Sequence, residues 1–173
     1  NYNRPLIILI EKNDYKNLGS ALDLGVSDYI ALPLIPEDIK ARVRIQLNQK
    51  YKLISANIDS LTGIYNRNYF DSQIEAFLKN NIDISLVIID LDLFKKVNET
   101  HGHLAGDTAL KEIAQLINQE VRSNDLLARF GGEEFILALP NTNLNDAYLV
   151  AERIRKIIES SSNTASFGVT YFK

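Results

Sequence analysis

The chain has no cysteine and no methionine, only two histidines and four prolines, and no long apolar run. Without cysteine there can be no disulfide and no thiolate metal site, a usage compatible with a reducing cytoplasm. No stretch approaches the ~18 apolar residues of a membrane span, and no signal peptide opens the sequence, so no membrane span and a cytoplasmic location are expected. Excess positive charge is missing too. The formal net charge is -3, which gives no field to attract nucleic acid or an anionic membrane face, and no nucleic-acid partner is expected. The missing methionine, even at position 1, marks the chain as a piece of a longer protein, so spacings inside motifs are firmer than spacings across linkers. What is present is ordinary for a globular protein: 173 residues, 46% hydrophobic and 24% charged, enough for one good core or two small ones.

The first fifty residues alternate strand and helix. "PLIILI" (5–10) is a β-rich run without polar alternation, which suits a strand covered on both faces. "DYKNLGSALDLG" (14–25) predicts a helix capped by Gly25, and "DYIAL" (28–32) a second strand. "PEDIKARVRIQLNQK" (36–50) predicts a helix with Pro36 in its first turn and Ile39, Val43 and Leu47 four apart. This βαβα order favours a parallel sheet. The polar stretch 48–60 reads as a separator. Beyond it come a helix over 66–80, an apolar strand "ISLVIIDLD" (84–92), and a helix over 103–121 with Leu110, Ile113 and Ile117 on one face. Two strands joined at Gly131–Gly132 read as a hairpin. A helix over 144–160 and a strand over 164–172 complete an α+β block of the ferredoxin-like kind.

Four acids stand where chain leaves this core. Asp90 and Asp92 end the apolar strand, and Glu133 and Glu134 follow the glycine pair. Strand ends and tight turns are where side chains converge on ligands. Uncompensated carboxylates gathered there repel one another, and a divalent cation removes the conflict; Mg²⁺ takes one or two carboxylates with phosphate oxygens and water. From spacing alone, solvated strand-end acids remain an equal alternative. Lys95, Asn98, His103 and Asp107 follow within "DLDLFKKVNETHGHLAGD" (90–107), at the start of a helix. A lysine suits a phosphate, a carboxylate can accept from guanine N–H groups, and an amide can complement the other edge atoms. Singly, each has a plainer reading: surface charge for Lys95, a loop residue for His103, a helix cap for Asp107. As a set they describe a site for a nucleoside triphosphate with metal.

"DSLTGIYNRNYF" (59–70), "IDLDLFKKVNETHGHLAGD" (89–107) and "RFGGEEF" (129–135), in that order, resemble the GGDEF family of diguanylate cyclases in its GGEEF variant. The resemblance implies a palm-like domain related to nucleotidyl cyclases and polymerases. It implies that two GTP molecules, one per protomer of an antiparallel homodimer, are condensed into cyclic di-GMP with release of two pyrophosphates. Carried over by motif, Asp90, the backbone carbonyl of Leu91 and Glu133 would hold Mg²⁺ (two ions per site, with Mn²⁺ as a substitute). Glu133 would also help deprotonate the attacking 3′-hydroxyl. Asn98 and Asp107 would read guanine, with His103 in the same pocket and Lys95 on the phosphates. "RSND" puts Arg122 and Asp125 in the family's RxxD pattern, which implies a product-inhibition site with Arg153 contributing. Arginine forks around an acid suit the guanine edges and phosphates of cyclic di-GMP.

The first block resembles the second half of a CheY-like receiver, through "ALDLGVSDYIALPLIPEDIKARV" (21–43). Ile10 stands where receivers have a hydroxyl residue, and Leu32 where they have a lysine before proline. A receiver without these switch residues is expected to be an adaptor that supports dimerisation. The arrangement resembles the PleD type of response regulator, in which a second receiver, phosphorylated by a histidine kinase, lies upstream. The expected organisation is thus a degenerate receiver half over 1–52, a linker over 53–58, and a cyclase domain over 59–173. Within the given residues that domain is expected to be C-terminally incomplete, the family's lysine-bearing segment falling after Lys173. The alternative is a non-catalytic module that binds cyclic di-GMP or serves dimerisation.

Overall fold

The computed structural model describes residues 5–11 and 18–173, which fall into two units, Asn1–Ala56 and Asn57–Lys173. In the first, β1 (Ile7–Ile10) pairs in parallel with β2 (Asp28–Ala31), Ile7 opposite Asp28 and Ile10 opposite Ala31. The helix between them is described over α1 (Leu18–Asp23); residues 14–17 of the expected helix lie outside the described residues. Gly25, at φ +95°, closes it in a conformation that costs glycine little. Helix α2 (Pro36–Ala56) runs through most of the polar stretch read as a separator. After Pro36 it contains no glycine or proline, and polarity alone does not stop a helix. Arg42 fastens α2 to β2, reaching Asp28 at 2.9 Å and its own helix at Asp38 at 3.1 Å, while stacking over the Tyr29 ring.

The second unit is a mixed sheet with helices on both faces. Its elements are β3 (Tyr65–Asn66), α3 (Arg67–Lys79), β4 (Ile84–Leu91), α4 (Phe94–His101), α5 (His103–Glu120), β5 (Leu126–Gly131), β6 (Glu134–Pro140), α6 (Leu144–Ser160) and β7 (Ala165–Phe172). The strand order is β3-β5-β6-β4-β7. From β4 onward the sheet is the split β-α-β-β-α-β arrangement expected from the sequence, with β4 antiparallel to both β6 and β7. The short β3 adds a parallel edge to β5. Side chains of β4 alternate between two cores. Val87, Ile89 and Leu91 join Leu110, Ile113 and Ile117 of α5 and Ala147, Ala151, Ile154 and Ile158 of α6. On the opposite face Ile84 joins Phe70 of α3, Leu126, Ala128, Ile136 and Ala138. Side-chain caps start α3 and α6: Asn66 accepts from the Tyr69 N–H, and Asn143 from the Asp146 N–H.

Two local readings change. The stretch leading into α5 contains its own helix, α4, because Gly102 at φ +82° separates residues 94–101 from 103–120. The hairpin turn is Gly132–Glu133 rather than Gly131–Gly132: Gly131 still pairs with Glu134, and the register shifts between Arg129 and Gly131. Phe130 is the extra residue of this bulge.

Candidate active site

The β4–β6 register decides which acids meet. With Phe135 buried on the α5–α6 side, Glu134 points to the other face, and there it sits directly opposite Asp90 in the β4–β6 ladder. Both side chains are exposed. Directly opposed residues have Cβ atoms about 4.5–5.5 Å apart, so these two carboxylates repel unless a cation is shared. Glu133 lies in the turn beside them, half-buried, and its carbonyl accepts from the Leu91 N–H at 3.4 Å. Asp92 is turned away to β7, where its carboxylate accepts from the Ser166 hydroxyl at 2.8 Å. Sequence reasoning left Glu134 unassigned. The strand's alternation was the available signal: the residue before a buried Phe135 must face the side opposite to it.

The turn itself is pinned by a side chain that motif reading passed over. Arg129 donates from Nε (3.0 Å) and Nη2 (2.7 Å) to the carbonyl of Gly132, and from Nη1 to both Asp59 oxygens at 3.3 and 3.4 Å. Asp59 also accepts from the Thr62 hydroxyl (2.7 Å) and N–H (2.9 Å). Burial pushes the Asp59 carboxyl up, but the Thr62 hydrogen bonds and the Arg129 charge outweigh it and hold it below the usual carboxylate range. One guanidinium fork therefore joins the 59–62 turn to the glycine turn.

Past Leu91 the chain reverses through Leu93, whose φ of 57° is left-handed, into α4. Lys95 is exposed in the first turn of α4, with only a loose 3.9 Å approach to Glu99. Asn98, one turn on, is half-buried against α5. The contact requires glycine: a Cβ at Gly106 would stand 2.0 Å from Asn98 Oδ1 and 3.1 Å from Phe94 Cζ. Asp107, next to Gly106 in sequence, is half-buried at the same α4–α5 corner. His103 opens α5, exposed, at the edge of that corner.

Among the described residues no three His, Asp or Glu side chains converge into a ready-made cage for a metal. The donor set is nonetheless oxygen-only: two carboxylates facing each other across the strands, a third in the adjoining turn, and the carbonyl of Leu91. That chemistry fits Mg²⁺, which dehydrates reluctantly and completes its octahedron with water and phosphate oxygens.

A second cleft, of about 260 Å³, contains Arg122, Asp125 and Arg153 together, with Asn141, Thr142 and Asp146. Arg122 and Asp125 close a tight turn: the Arg122 N–H reaches Asp125 Oδ2 at 2.8 Å, and the Asp125 N–H reaches the Arg122 carbonyl at 3.0 Å. The six residues of β5 separate this turn from the glycine turn, roughly 20 Å at 3.3 Å per residue.

Residues 56–171, well over half the chain, match the family model described as diguanylate cyclase, GGDEF domain. The chain belongs to the GGDEF family. Its GGDEF relatives include the response regulator PleD of Caulobacter vibrioides, 36% identical over 179 residues, covering 95% of this chain and 39% of PleD. Diguanylate cyclase A of Treponema denticola is 38% identical over 135 residues, covering 74% of this chain and 36% of the relative. The chain thus spans about two fifths of the length of these relatives. Among solved structures, the diguanylate cyclase SiaD of Pseudomonas aeruginosa, in complex with its activator SiaC, is 33% identical with a TM-score of 0.66, over 91% of this chain and 61% of SiaD. The coiled coil and GGDEF domain of DgcB from Caulobacter crescentus, in complex with c-di-GMP, is 25% identical with a TM-score of 0.71, over 91% and 84%.

Proposed function

We propose that this chain is the output end of a diguanylate cyclase that condenses two GTP into cyclic di-GMP and two pyrophosphates. The observation that carries the reading is the meeting of Asp90 and Glu134 across β4 and β6, with Glu133 in the adjoining turn. Asp90, the Leu91 carbonyl and Glu133 would hold Mg²⁺, and Glu134 stands close enough to share the charge. Bound Mg²⁺ would neutralise triphosphate oxygens and favour in-line displacement at the α-phosphate. Glu133 accepts the proton of the attacking 3′-hydroxyl. Asn98 and Asp107 hold guanine in the α4–α5 corner, His103 borders it, and Lys95, exposed and only loosely paired with Glu99, meets the phosphates. Each protomer presents one GTP, so the reaction requires an antiparallel homodimer.

The rest of the proposal concerns control. The cleft of Arg122, Asp125 and Arg153 takes cyclic di-GMP and mediates product inhibition; the placing of all three around one cavity supports this. The parallel β1–β2 pair followed by α2 suits a degenerate receiver half acting as an adaptor, and the likeness to PleD over 95% of the chain supports that reading. A histidine kinase acting on an upstream receiver would then be the input. No helix among the described residues is long and apolar enough to cross a membrane. The second reading is a cyclic di-GMP receptor without turnover.

Full-length protein incubated with GTP and Mg²⁺ should yield cyclic di-GMP and pyrophosphate by chromatography. Glu133→Gln should lose turnover by a factor of about 10³ or more while retaining its melting temperature, the scale expected of a charge-handling group. Tight cyclic di-GMP binding with no product from the wild type would establish the receptor reading instead.

A further inference from the structure

The two arginines of the second cleft are held differently. Among the described residues the Arg122 guanidinium makes no hydrogen bond or ion pair, and only its backbone is engaged, by Asp125. Arg153 is held at one edge: its Nε lies 2.9 Å from Glu120 Oε2, and its Nη2 donates to the Glu120 backbone carbonyl at 2.8 Å. Glu120 is the last residue of α5, two positions before Arg122, while Arg153 rises from α6. The contact therefore bridges both helices through an arginine that lines the cleft.

An arginine has two edges that can receive a bidentate acceptor, the side edge of Nε with Nη2 and the terminal edge of Nη1 with Nη2. Glu120 occupies the side edge. The terminal edge, with both Nη1 protons and the second Nη2 proton, is left for whatever enters the cavity. We infer that Glu120 is a positioning residue of this cleft: it fixes the guanidinium of Arg153 so that its terminal edge meets the guanine or phosphate oxygens of the bound dinucleotide. This rests on the reading of the cleft as a cyclic di-GMP site. Pre-organisation matters because an arginine left free must surrender its rotamer freedom when ligand binds. Arg122 does so; Arg153 has already been ordered by Glu120. The carboxylate also subtracts positive charge near an anionic ligand, which opposes binding. At this exposure, with 52% of the Arg153 side chain in solvent, that subtraction is screened, and ordering wins.

The test is isothermal titration of cyclic di-GMP into the full-length protein and five variants. Glu120→Ala should weaken binding by about five- to tenfold, the scale of one side chain newly immobilised on binding. Glu120→Gln, which keeps an oxygen acceptor for Nε, should stay within about threefold of wild type. In an Arg153→Ala background, adding Glu120→Ala should change nothing further, because Glu120 acts through Arg153. Unchanged or tighter binding by Glu120→Ala would overturn the inference, as would an equal loss in the presence and absence of Arg153. Arg122→Ala separates this from the underlying reading. If that variant binds cyclic di-GMP as well as wild type, the cleft is not the site, and the role of Glu120 falls with it.

Discussion

Replacing Arg129 by alanine tests whether the glycine turn is held by its own backbone or by the 59–62 segment. The guanidinium makes two hydrogen bonds to the Gly132 carbonyl and two longer ones to Asp59. Only 17% of the Arg129 side chain and 22% of Asp59 is exposed. Hydrogen bonds to charged groups contribute about 1.5–3 kcal/mol net, and truncation leaves a half-buried carboxylate with Thr62 alone. Truncation should therefore destabilise the second unit by about 2–3 kcal/mol, lowering its melting temperature by roughly 6–12 °C for a domain of this size. Arg129→Lys should recover less than half, because an ammonium cannot bridge the carbonyl and the carboxylate as a planar fork does. Activity should fall more than stability accounts for, since Glu133 and Glu134 are carried by the turn that Arg129 holds. Asp59 adds a pH signature. Its carboxyl is depressed in the folded protein, so it contributes stability above its unfolded pKa of about 3.9 and loses it as pH falls through the folded value. The stability gap between wild type and Asp59→Asn should be open at pH 7 and close below about pH 4. Thermal unfolding followed by circular dichroism across that range, with cyclic di-GMP formation at pH 7, measures both. A melting temperature for Arg129→Ala within 1 °C of wild type would refute the reasoning.

Gly106→Ala would drive a methyl to within 2.0 Å of Asn98 Oδ1. It should cost about 1–3 kcal/mol in urea unfolding and raise the KM for GTP more than it lowers kcat; a wild-type KM would detach Asn98 from the guanine site. Glu134→Gln relieves the repulsion with Asp90. Without Mg²⁺ it should stabilise the protein by about 0.2–1 kcal/mol, yet raise the Mg²⁺ concentration needed for half-maximal turnover. No change in either quantity would leave Glu134 a solvated bystander.

Much of this molecule was legible in its order of residues. Four-residue spacing in α2 and the Leu110, Ile113, Ile117 face of α5 predict helices because local periodicity fixes which side is apolar. The motifs placed the acids near a strand end and a turn, and the separate RxxD pattern, with the family resemblance, grouped Arg122 and Asp125 with Arg153. What the order of residues could not set was register. A one-residue shift in a strand moves every side chain to the other face, so the β4–β6 register decides that Glu134, and not Phe135, faces Asp90. The helical continuation to Ala56 was hidden because polar residues signal solvent as readily as a linker. Pairings such as Arg129 with Asp59, 70 positions apart, and Arg153 with Glu120, 33 apart, have no local signature. Sequence by itself determined most of the elements, the family and the identities of the charged groups. Tertiary structure decided which charges face one another, because only a closed sheet and packed helices bring distant residues within hydrogen-bonding range.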